Sequence, residues 1–291
     1  MEKRLIIIDS NALLHRAFHA LPPLTTKTGT ETGAVYGYLL TLFKAIKDLN
    51  ANYIVACFDT KAKTFRHEKY LDYKAHRPLT PSGIISQIPI AKEILEVFEI
   101  PVFAQDGVEA DDLIATICTL CNNEKDLEIF ILSGDLDNLQ LVNKMVKVYT
   151  LGKGIKDTVI YDINKVEERF GVKPSEMVDY KALVGDVSDN IPGVEGIGKK
   201  TAAEIINKYQ SIKNLYEELS TDTAVLKPKV KEALIKNKES AFMSRDLSEM
   251  KKDVKINFNL EACQFKGFNR EKVEKKLSEL EFNSLINRLP N

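Results

Sequence analysis

Residues 4–9 read RLIIID, an unbroken apolar run that ends on an acid. A run this short and this rich in β-branched residues predicts a strand buried on both faces. Helical periodicity lies between this run and later ones, at about 34–49, 84–98 and 110–122. The later predicted strands are Asn52–Asp59, Pro101–Ala104, Glu128–Ser133 and Lys147–Thr150. Alternating strands and helices predict an α/β fold built on a parallel sheet.

The chain changes character near residue 170. From about Lys173 onward the pattern is helical, with glycine and proline between the segments. We therefore predict two domains, an α/β catalytic domain over 1–170 and a smaller, mainly helical domain over 171–291.

Composition describes an ordinary globular protein, with 291 residues, 44% of them hydrophobic and 29% charged. The sequence contains no apolar run long enough for a membrane span, and its first residues do not read as a signal peptide, so we expect a cytoplasmic location. The four cysteines are too scattered for a disulfide framework. Cys118 and Cys121 form a CxxC pair on an apolar helical pattern, which favours packing over zinc binding.

Acidic residues stand where the predicted strands end. Asp9 ends the first strand, Asp59 ends the second, and Asp135 and Asp137 directly follow the fourth. The carboxyl ends of parallel strands share one edge of the sheet, where ligand crevices form. We therefore expect these four carboxylates to converge.

Five more acids lie in two polar motifs. Glu109, Asp111 and Asp112 begin a predicted helix in GVEADD, and Asp186 and Asp189 precede a Gly/Pro-rich turn in GDVSDN. Taken alone, either group is compatible with ordinary helix-start or turn chemistry. Their number, added to the four acids at the strand ends, favours a shared site.

Nine carboxylates in one crevice repel one another unless cations neutralise them. Oxygen ligands without Cys or His suit hard cations, so the sequence predicts Mg²⁺ or Mn²⁺. Two such ions can activate water and stabilise the leaving oxygen of a phosphodiester, which predicts hydrolysis of a nucleic acid backbone.

A basic and aromatic stretch, KAKTFRHEKYLDYKAHRP, spans residues 61–78. Lys and Arg can neutralise phosphates while an aromatic ring stacks on an unpaired base. Tyr73 and Arg77 would lie one turn apart if this stretch were helical. The alternative is a solvated charged helix, which the neighbouring acids make less favoured.

A glycine-rich motif, IPGVEGIGKKTAAEII, spans residues 191–206. It fails as a Walker A loop because Lys200 stands where Ser or Thr should bind Mg²⁺, and it fails as GxGxxG because Thr201 replaces the last glycine. A helix-hairpin-helix fits better, since free N–H groups near the start of its second helix can bind a DNA phosphate.

Together the motifs IIIDSNALLHRAFHA, TGAVYG, FDTKAKTFRHEKYLDYKAHRP, GVEADD, SGDLD and GDVSDNIPGVEGIGKKTA resemble, in order, those of the 5′ nuclease family that opens bacterial DNA polymerase I. The resemblance implies a PIN-like (resolvase-like) nuclease domain with a helical arch at about 61–90 and a helix-hairpin-helix at about 185–207. It also implies a structure-specific 5′ to 3′ exonuclease and flap endonuclease that acts in primer removal and DNA repair.

The same resemblance assigns roles to the acids. It implies a first metal site of Asp9, Asp59, Glu109 and Asp111, and a second of Asp135, Asp137 and Asp189, with Asp112 and Asp186 assisting. Asp111 is expected to lie between the two ions. The net charge of −1 becomes +8 once these nine acids are set aside, so the remaining surface is basic enough to attract DNA.

Further roles implied by the resemblance concern DNA. Arg16, Lys74 and Arg77 are expected at the scissile phosphate, and Tyr73 at the base near the cut. The expected duplex-binding residues of the hairpin are Gly193, Gly196, Gly198, Lys199, Lys200 and Thr201, with a potassium ion held by backbone carbonyls. The chain departs from the family pattern at Glu31, where proline is usual.

The expected partners are DNA with 5′ flaps, free 5′ ends or nicks, RNA–DNA primers, and a DNA polymerase in the same or another chain. We expect a monomer in the bacterial cytoplasm, with no membrane association. Three alternatives stay open: a PIN-type ribonuclease, a non-catalytic module that binds branched DNA, and a nucleotide-binding Rossmann protein.

Overall fold

A computed structural model describes residues 2–152 and 157–290. A six-stranded sheet lies at its centre, with strand order β3-β2-β1-β4-β5-β6, and only β6 runs antiparallel to its neighbour. The strands are β1 Lys3–Asp9, β2 Tyr53–Cys57, β3 Val102–Phe103, β4 Leu127–Leu132, β5 Val146–Leu151 and β6 Thr158–Tyr161. The predicted α/β class is confirmed, and β6 is a strand that the sequence analysis did not predict.

Helices cover both faces of this sheet. They are α1 Ser10–Ala20, α2 Gly33–Leu49, α3 Phe65–Lys69, α4 Ser82–Ile85, α5 Gln87–Val97, α6 Ala110–Leu120, α7 Ile163–Phe170, α8 Met177–Val184, α9 Lys199–Tyr209, α10 Ile212–Ser220, α11 Pro228–Lys236, α12 Lys238–Ser248, α13 Arg270–Glu279 and α14 Asn283–Ile286. The sequence analysis did not predict α1, which starts directly after β1 because Asp9 is its N-cap and accepts a hydrogen bond from the Ala12 amide.

Alternate residues of β1 supply two separate cores. Leu5 and Ile7 face a cluster that includes α6, whereas Ile6 and Ile8 face a cluster that includes α2 and α5. All four side chains are fully buried. The sheet is therefore covered on both sides, as the continuous apolar run predicts.

The helices after residue 171 share core clusters with the sheet. The core cluster that includes Leu5 and Ile7 continues into α8, α9 and α10, whereas α13 and α14 return to pack with α2 and α5 on the opposite face. The domain boundary near residue 170 therefore stays a prediction.

The stretch expected to form a helical arch contains less helix than anticipated. Only Phe65–Lys69 is helical before α4, and residues 70–81 form turns and extended chain. Two features break the helix: Lys74 adopts a left-handed backbone with φ 56°, and Pro78 disfavours helical backbone at the residue before it. Tyr73 and Arg77 are consequently not one helical turn apart.

All four cysteines are free and buried, including Cys118 and Cys121 at the end of α6. Over the ranges that the structure describes, no helix is both long and apolar enough to cross a bilayer.

Candidate active site

Six of the nine predicted acids line one cavity of about 420 Å³ at the carboxyl edge of the sheet. They are Asp9, Asp59, Glu109, Asp111, Asp135 and Asp189. Asp9 is the last residue of β1, and Asp59 follows β2 by two residues, so parallel strands deliver both to the same edge. His15, which the sequence analysis did not single out, lines the same cavity from α1.

An adjacent cavity, also of about 420 Å³, is lined by Asp137 and Asp186 and shares Asp135 with the first. Asp189, expected at a second metal site with Asp137, lies near Glu109, since the Tyr73 hydroxyl is 3.2 Å from both carboxylates. The acids therefore form one continuous groove with Asp135 in the middle.

Several carboxylates accept hydrogen bonds from donors of the protein. Asp59 Oδ1 accepts a hydrogen bond of 2.7 Å from the Ala110 amide, and Asp135 Oδ1 accepts one of 2.9 Å from the Asp137 amide. Ser133 donates a bond of 2.6 Å to Asp9 Oδ2. Backbone and hydroxyl donors thus orient the acids without neutralising their charge.

The electrostatics show strong repulsion between the acids. Burial, followed by the nearby charges of Asp59 and Asp135, raises the pKa of Asp9 to about 7, although the Ser133 hydrogen bond opposes the shift. Burial and the charges of Asp9 and Asp135 also raise the pKa of Asp111 well above its ordinary value. These carboxylates need cations before they can all ionise near neutral pH.

Cationic side chains of the 61–78 stretch lie against the acids. Lys74 Nζ is 2.8 Å from Glu109 Oε1, and Arg77 forms an ion pair with Asp189. The Lys74 amide also donates to the Asp189 carbonyl. Tyr73, expected to contact a base, is only 3% exposed and points its hydroxyl at the acids. Stacking on a base thus requires this stretch to move.

Lys181 bridges the acids of the adjacent cavity. Its ammonium pairs with Asp137 and lies 2.8 Å from Asp186. Burial raises the pKa of Asp186, but the charge of Lys181 and the hydrogen bonds from Lys181 and Ser188 together outweigh that effect and lower it to about 2. Burial raises the pKa of Asp137 to about 6, although the charge of Lys181 opposes the shift. Sequence reasoning missed Lys181, whose signal was its position five residues before Asp186.

Asp112 does not line either acidic cavity. Its carboxylate receives two hydrogen bonds from Arg66, of 2.8 and 2.9 Å, and also accepts from the Glu109 and Lys251 amides. Asp112 and Arg66 are 0% and 2% exposed. An assisting role for Asp112 would therefore act through the position of Glu109 rather than by direct ligation.

Arg16, expected at the scissile phosphate, lines the cavity of Asp137 and Asp186. Its guanidinium donates to the carbonyl of Leu151, 2.6 Å away, and to that of Gly152. Arg16 therefore lies beside the acids, although its own hydrogen bonds tie it to the end of β5.

The predicted helix-hairpin-helix consists of α8, the turns after Gly185, and α9. Gly193 has φ 66°, and a Cβ there would stand 2.4 Å from the Gly185 nitrogen, so the hairpin requires glycine. Ser244 and Ser240 of α12 hydrogen-bond its N–H and carbonyl. Gly196 also has positive φ, and Gly198 is the N-cap of α9.

The N-terminus of α9 is open to solvent. Gly198, Lys199 and Lys200 are exposed, and Thr201 is half-buried. Because Gly198 has no side chain, the first amides of α9 are left for an external acceptor, and the helix dipole favours an anion there. The arrangement suits a backbone phosphate.

The donor set fits a divalent hard cation. Among the described residues, no three His, Cys, Asp or Glu side chains are close enough to hold an ion as they stand. Lys74, Arg77 and Lys181 form ion pairs with carboxylates of the groove, and those pairs would have to open before the same oxygens could bind an ion. The oxygen-only chemistry and the unneutralised charge around Asp9 suit Mg²⁺ or Mn²⁺.

Comparison with known proteins gives the family. Residues 4–171 match the 5′-3′ exonuclease N-terminal resolvase-like domain, and residues 172–271 match the 5′-3′ exonuclease C-terminal SAM fold. The chain belongs to the 5′-3′ exonuclease family. The members of this 5′-3′ exonuclease family are metal-dependent nucleases.

Relatives of this 5′-3′ exonuclease chain include DNA polymerase I of Caldicellulosiruptor bescii, 38% identical over 98% of the chain and 33% of the polymerase. DNA polymerase I of Bacillus subtilis is 37% identical over 99% of the chain and 32% of the polymerase. The chain spans about a third of the length of these relatives.

Solved structures share the fold. T5 5′-exonuclease with bound divalent zinc ions is 22% identical, with a TM-score of 0.71 over 96% of this chain and 99% of that one. The catalytic core of Rad2 in complex with DNA substrate is 15% identical, with a TM-score of 0.62 over 96% and 87%.

Proposed function

We propose that this chain is a structure-specific 5′ nuclease that hydrolyses DNA phosphodiesters with two Mg²⁺ or Mn²⁺ ions, as exonuclease and flap endonuclease. The observation that carries the proposal is the acidic groove, in which six carboxylates line one cavity and Asp135 joins it to Asp137 and Asp186. Family membership supports the same activity.

The acids would divide between two ions. Asp9, Asp59, Glu109 and Asp111 would hold the first, and Asp135, Asp137 and Asp189 the second, with Asp186 and Asp112 assisting. The bound ions would supply an activated water and a stabilised leaving oxygen. The buried donors Ser133 and Ala110 keep Asp9 and Asp59 aimed at the groove.

Cationic residues would receive the scissile phosphate. Lys74 and Arg77 lie on the acids, so a phosphate and its ions can replace the carboxylates as their partners. Arg16 lines the far side of the groove. Release of Lys74 and Arg77 would free the 70–77 segment and uncover Tyr73, which could then stack on the base near the cut.

The hairpin would grip duplex DNA through its backbone. Gly193, Gly196 and Gly198 allow close approach of a phosphate, and the amides and side chains of Lys199, Lys200 and Thr201 would bind it. A potassium ion held by hairpin carbonyls would complete this contact. Such binding reads the DNA backbone and not its sequence.

The proposed substrates are 5′ flaps, free 5′ ends and nicks, together with RNA–DNA primers. The natural partner would be a DNA polymerase in the same or another chain, since the relatives are DNA polymerase I. A monomer in the bacterial cytoplasm completes the proposal.

A labelled 5′-flap DNA tests the proposal directly. Incubation with Mg²⁺ should release the flap on a denaturing gel, whereas EDTA or Asp137→Asn should abolish or strongly slow the release. The mutant should still bind the duplex, because the hairpin is unchanged. Tight flap binding without cleavage in Mg²⁺ or Mn²⁺ would instead favour a non-catalytic DNA-binding module, and cleavage of RNA alone would favour a ribonuclease.

A further inference from the structure

A buried polar network lies beneath the acidic groove. Asn138 donates its side-chain amide to Asp111 Oδ1 at 3.1 Å and contacts Ser133 Oγ at 3.5 Å. Ser133 Oγ also accepts the Asp135 amide at 2.9 Å and donates to Asp9 Oδ2 at 2.6 Å. The network therefore joins three of the groove acids.

The direction of these hydrogen bonds follows from the chemistry of the hydroxyl. A serine hydroxyl has one hydrogen to donate and two lone pairs to accept with. Both lone pairs of Ser133 face N–H donors, from Asn138 and Asp135, so its single hydrogen points to Asp9. Asn138 thus orients Asp111 directly and Asp9 through Ser133.

Asn138 occupies a buried position that is unfavourable for a polar side chain. It is 0% exposed, and its Oδ1 has no hydrogen-bond partner among the described residues. A buried carbonyl oxygen without a partner destabilises the folded state. Local departures from good packing concentrate at functional positions.

We propose that Asn138 is a positioning residue, whose amide holds Asp111 with one oxygen fixed below the groove and the other left for a divalent cation. The inference rests on the proposed two-metal site. An amide suits the task because it donates a hydrogen bond without adding charge. A lysine there would neutralise Asp111, and a carboxylate would repel it.

Binding of Mn²⁺ without DNA, measured by isothermal titration calorimetry, tests the role independently of cleavage. Asn138→Leu keeps the branching at Cγ and removes the donor, although leucine is the larger side chain. We expect Mn²⁺ affinity to fall about tenfold, since partners that orient metal ligands typically contribute about 10- to 100-fold. Urea unfolding in EDTA, in the same preparations, reports any general damage.

Thr116→Val is the matched control. Thr116 is buried, as Asn138 is, and lies on α6 five residues after Asp111. Its hydroxyl donates to the Lys251 carbonyl and accepts from the Val254 amide, and these bonds involve none of the nine acids. It should lower stability while Mn²⁺ affinity stays within about twofold of the wild type. Asn138→Ala, which removes the donor without overpacking, answers the same question if Asn138→Leu does not fold.

A double-mutant cycle with Ser133→Ala tests the network. Ser133→Ala should also weaken Mn²⁺ binding, and the combined loss with Asn138→Ala should be smaller than the product of the two single losses, because both act on one network. Wild-type binding together with unchanged affinity in the Asn138 variants would overturn the positioning role alone. Absence of Mn²⁺ binding by the wild type would overturn the metal site and the inference together.

Discussion

The acidic groove and the hairpin at α9 present opposite kinds of chemistry. The groove consists of side-chain charges that are partly buried and held by other side chains. The hairpin presents backbone amides and exposed lysines, and its shape depends on a glycine. We therefore expect that cleavage and duplex binding can be lost separately. Cleavage depends on charge in the groove, whereas binding depends on the backbone shape of the hairpin.

Asp111→Asn should have the largest effect, and that effect should be confined to the chemistry of the groove. Loss of a ligand shared between the proposed ions should slow flap cleavage about a thousandfold, equivalent to about 4 kcal/mol of transition-state stabilisation. Binding of duplex DNA, measured by fluorescence anisotropy in EDTA, should stay close to the wild type. A comparable loss of binding would show that the two regions are not independent.

Gly193→Ala should disrupt the hairpin and leave the acids that end or follow β1, β2 and β4 in place. The added Cβ would meet the Gly185 nitrogen at 2.4 Å and the Val184 carbonyl carbon at 2.7 Å, and both are backbone atoms. We expect a loss of more than about 2 kcal/mol in local stability and at least about tenfold in duplex affinity.

Gly198→Ala is the matched control for Gly193→Ala. Gly198 has φ −89°, and a Cβ there meets no atom within 4 Å. Its duplex affinity should fall much less than that of Gly193→Ala. Equal losses in the two variants would mean that the hairpin does not depend on the close approach at Gly193.

The smallest effect is a dependence of stability on pH, which arises from the acids of the groove and not from the hairpin. The pKa of Asp9 is raised to about 7, so the folded, metal-free protein holds a proton that the unfolded chain loses near pH 4. Stability should therefore fall as the pH rises from about 4 to about 7. Excess Mg²⁺ should reduce this decline. Urea unfolding across that range in EDTA and in Mg²⁺ measures it, and identical profiles would contradict bound metal at these acids.

Sequence patterns predict the sheet and the gathering of acids well, for a simple physical reason. Continuous apolar runs mark β1, β2 and β4, and parallel pairing then brings the residues after them to one edge. The helix-hairpin-helix is predicted because glycines between two helical patterns allow a tight turn, and Gly193 has the positive φ that only glycine adopts readily. The metal and DNA roles of these residues stay predictions.

The sequence alone does not predict which side chains of distant segments form pairs. Arg66 meets Asp112, and Lys181 meets Asp137, across 46 and 44 positions of the chain. Nothing in the local pattern around Asp112 distinguishes a partner of arginine from a metal ligand. The burial of Tyr73 likewise depends on the left-handed backbone at Lys74, which periodicity does not reveal.

The return of α13 to α2 and α5 bears on the order in which the protein is made and folded. Val273 and Leu277 cover the face of the sheet that Ile6 and Ile8 present, and they follow the end of β5 by about 120 residues. Ribosomes add about 5–20 residues per second, so this face waits about 6–24 s for its cover during synthesis. The newly made chain therefore exposes, until α13 joins this core, the apolar surface that α13 later covers.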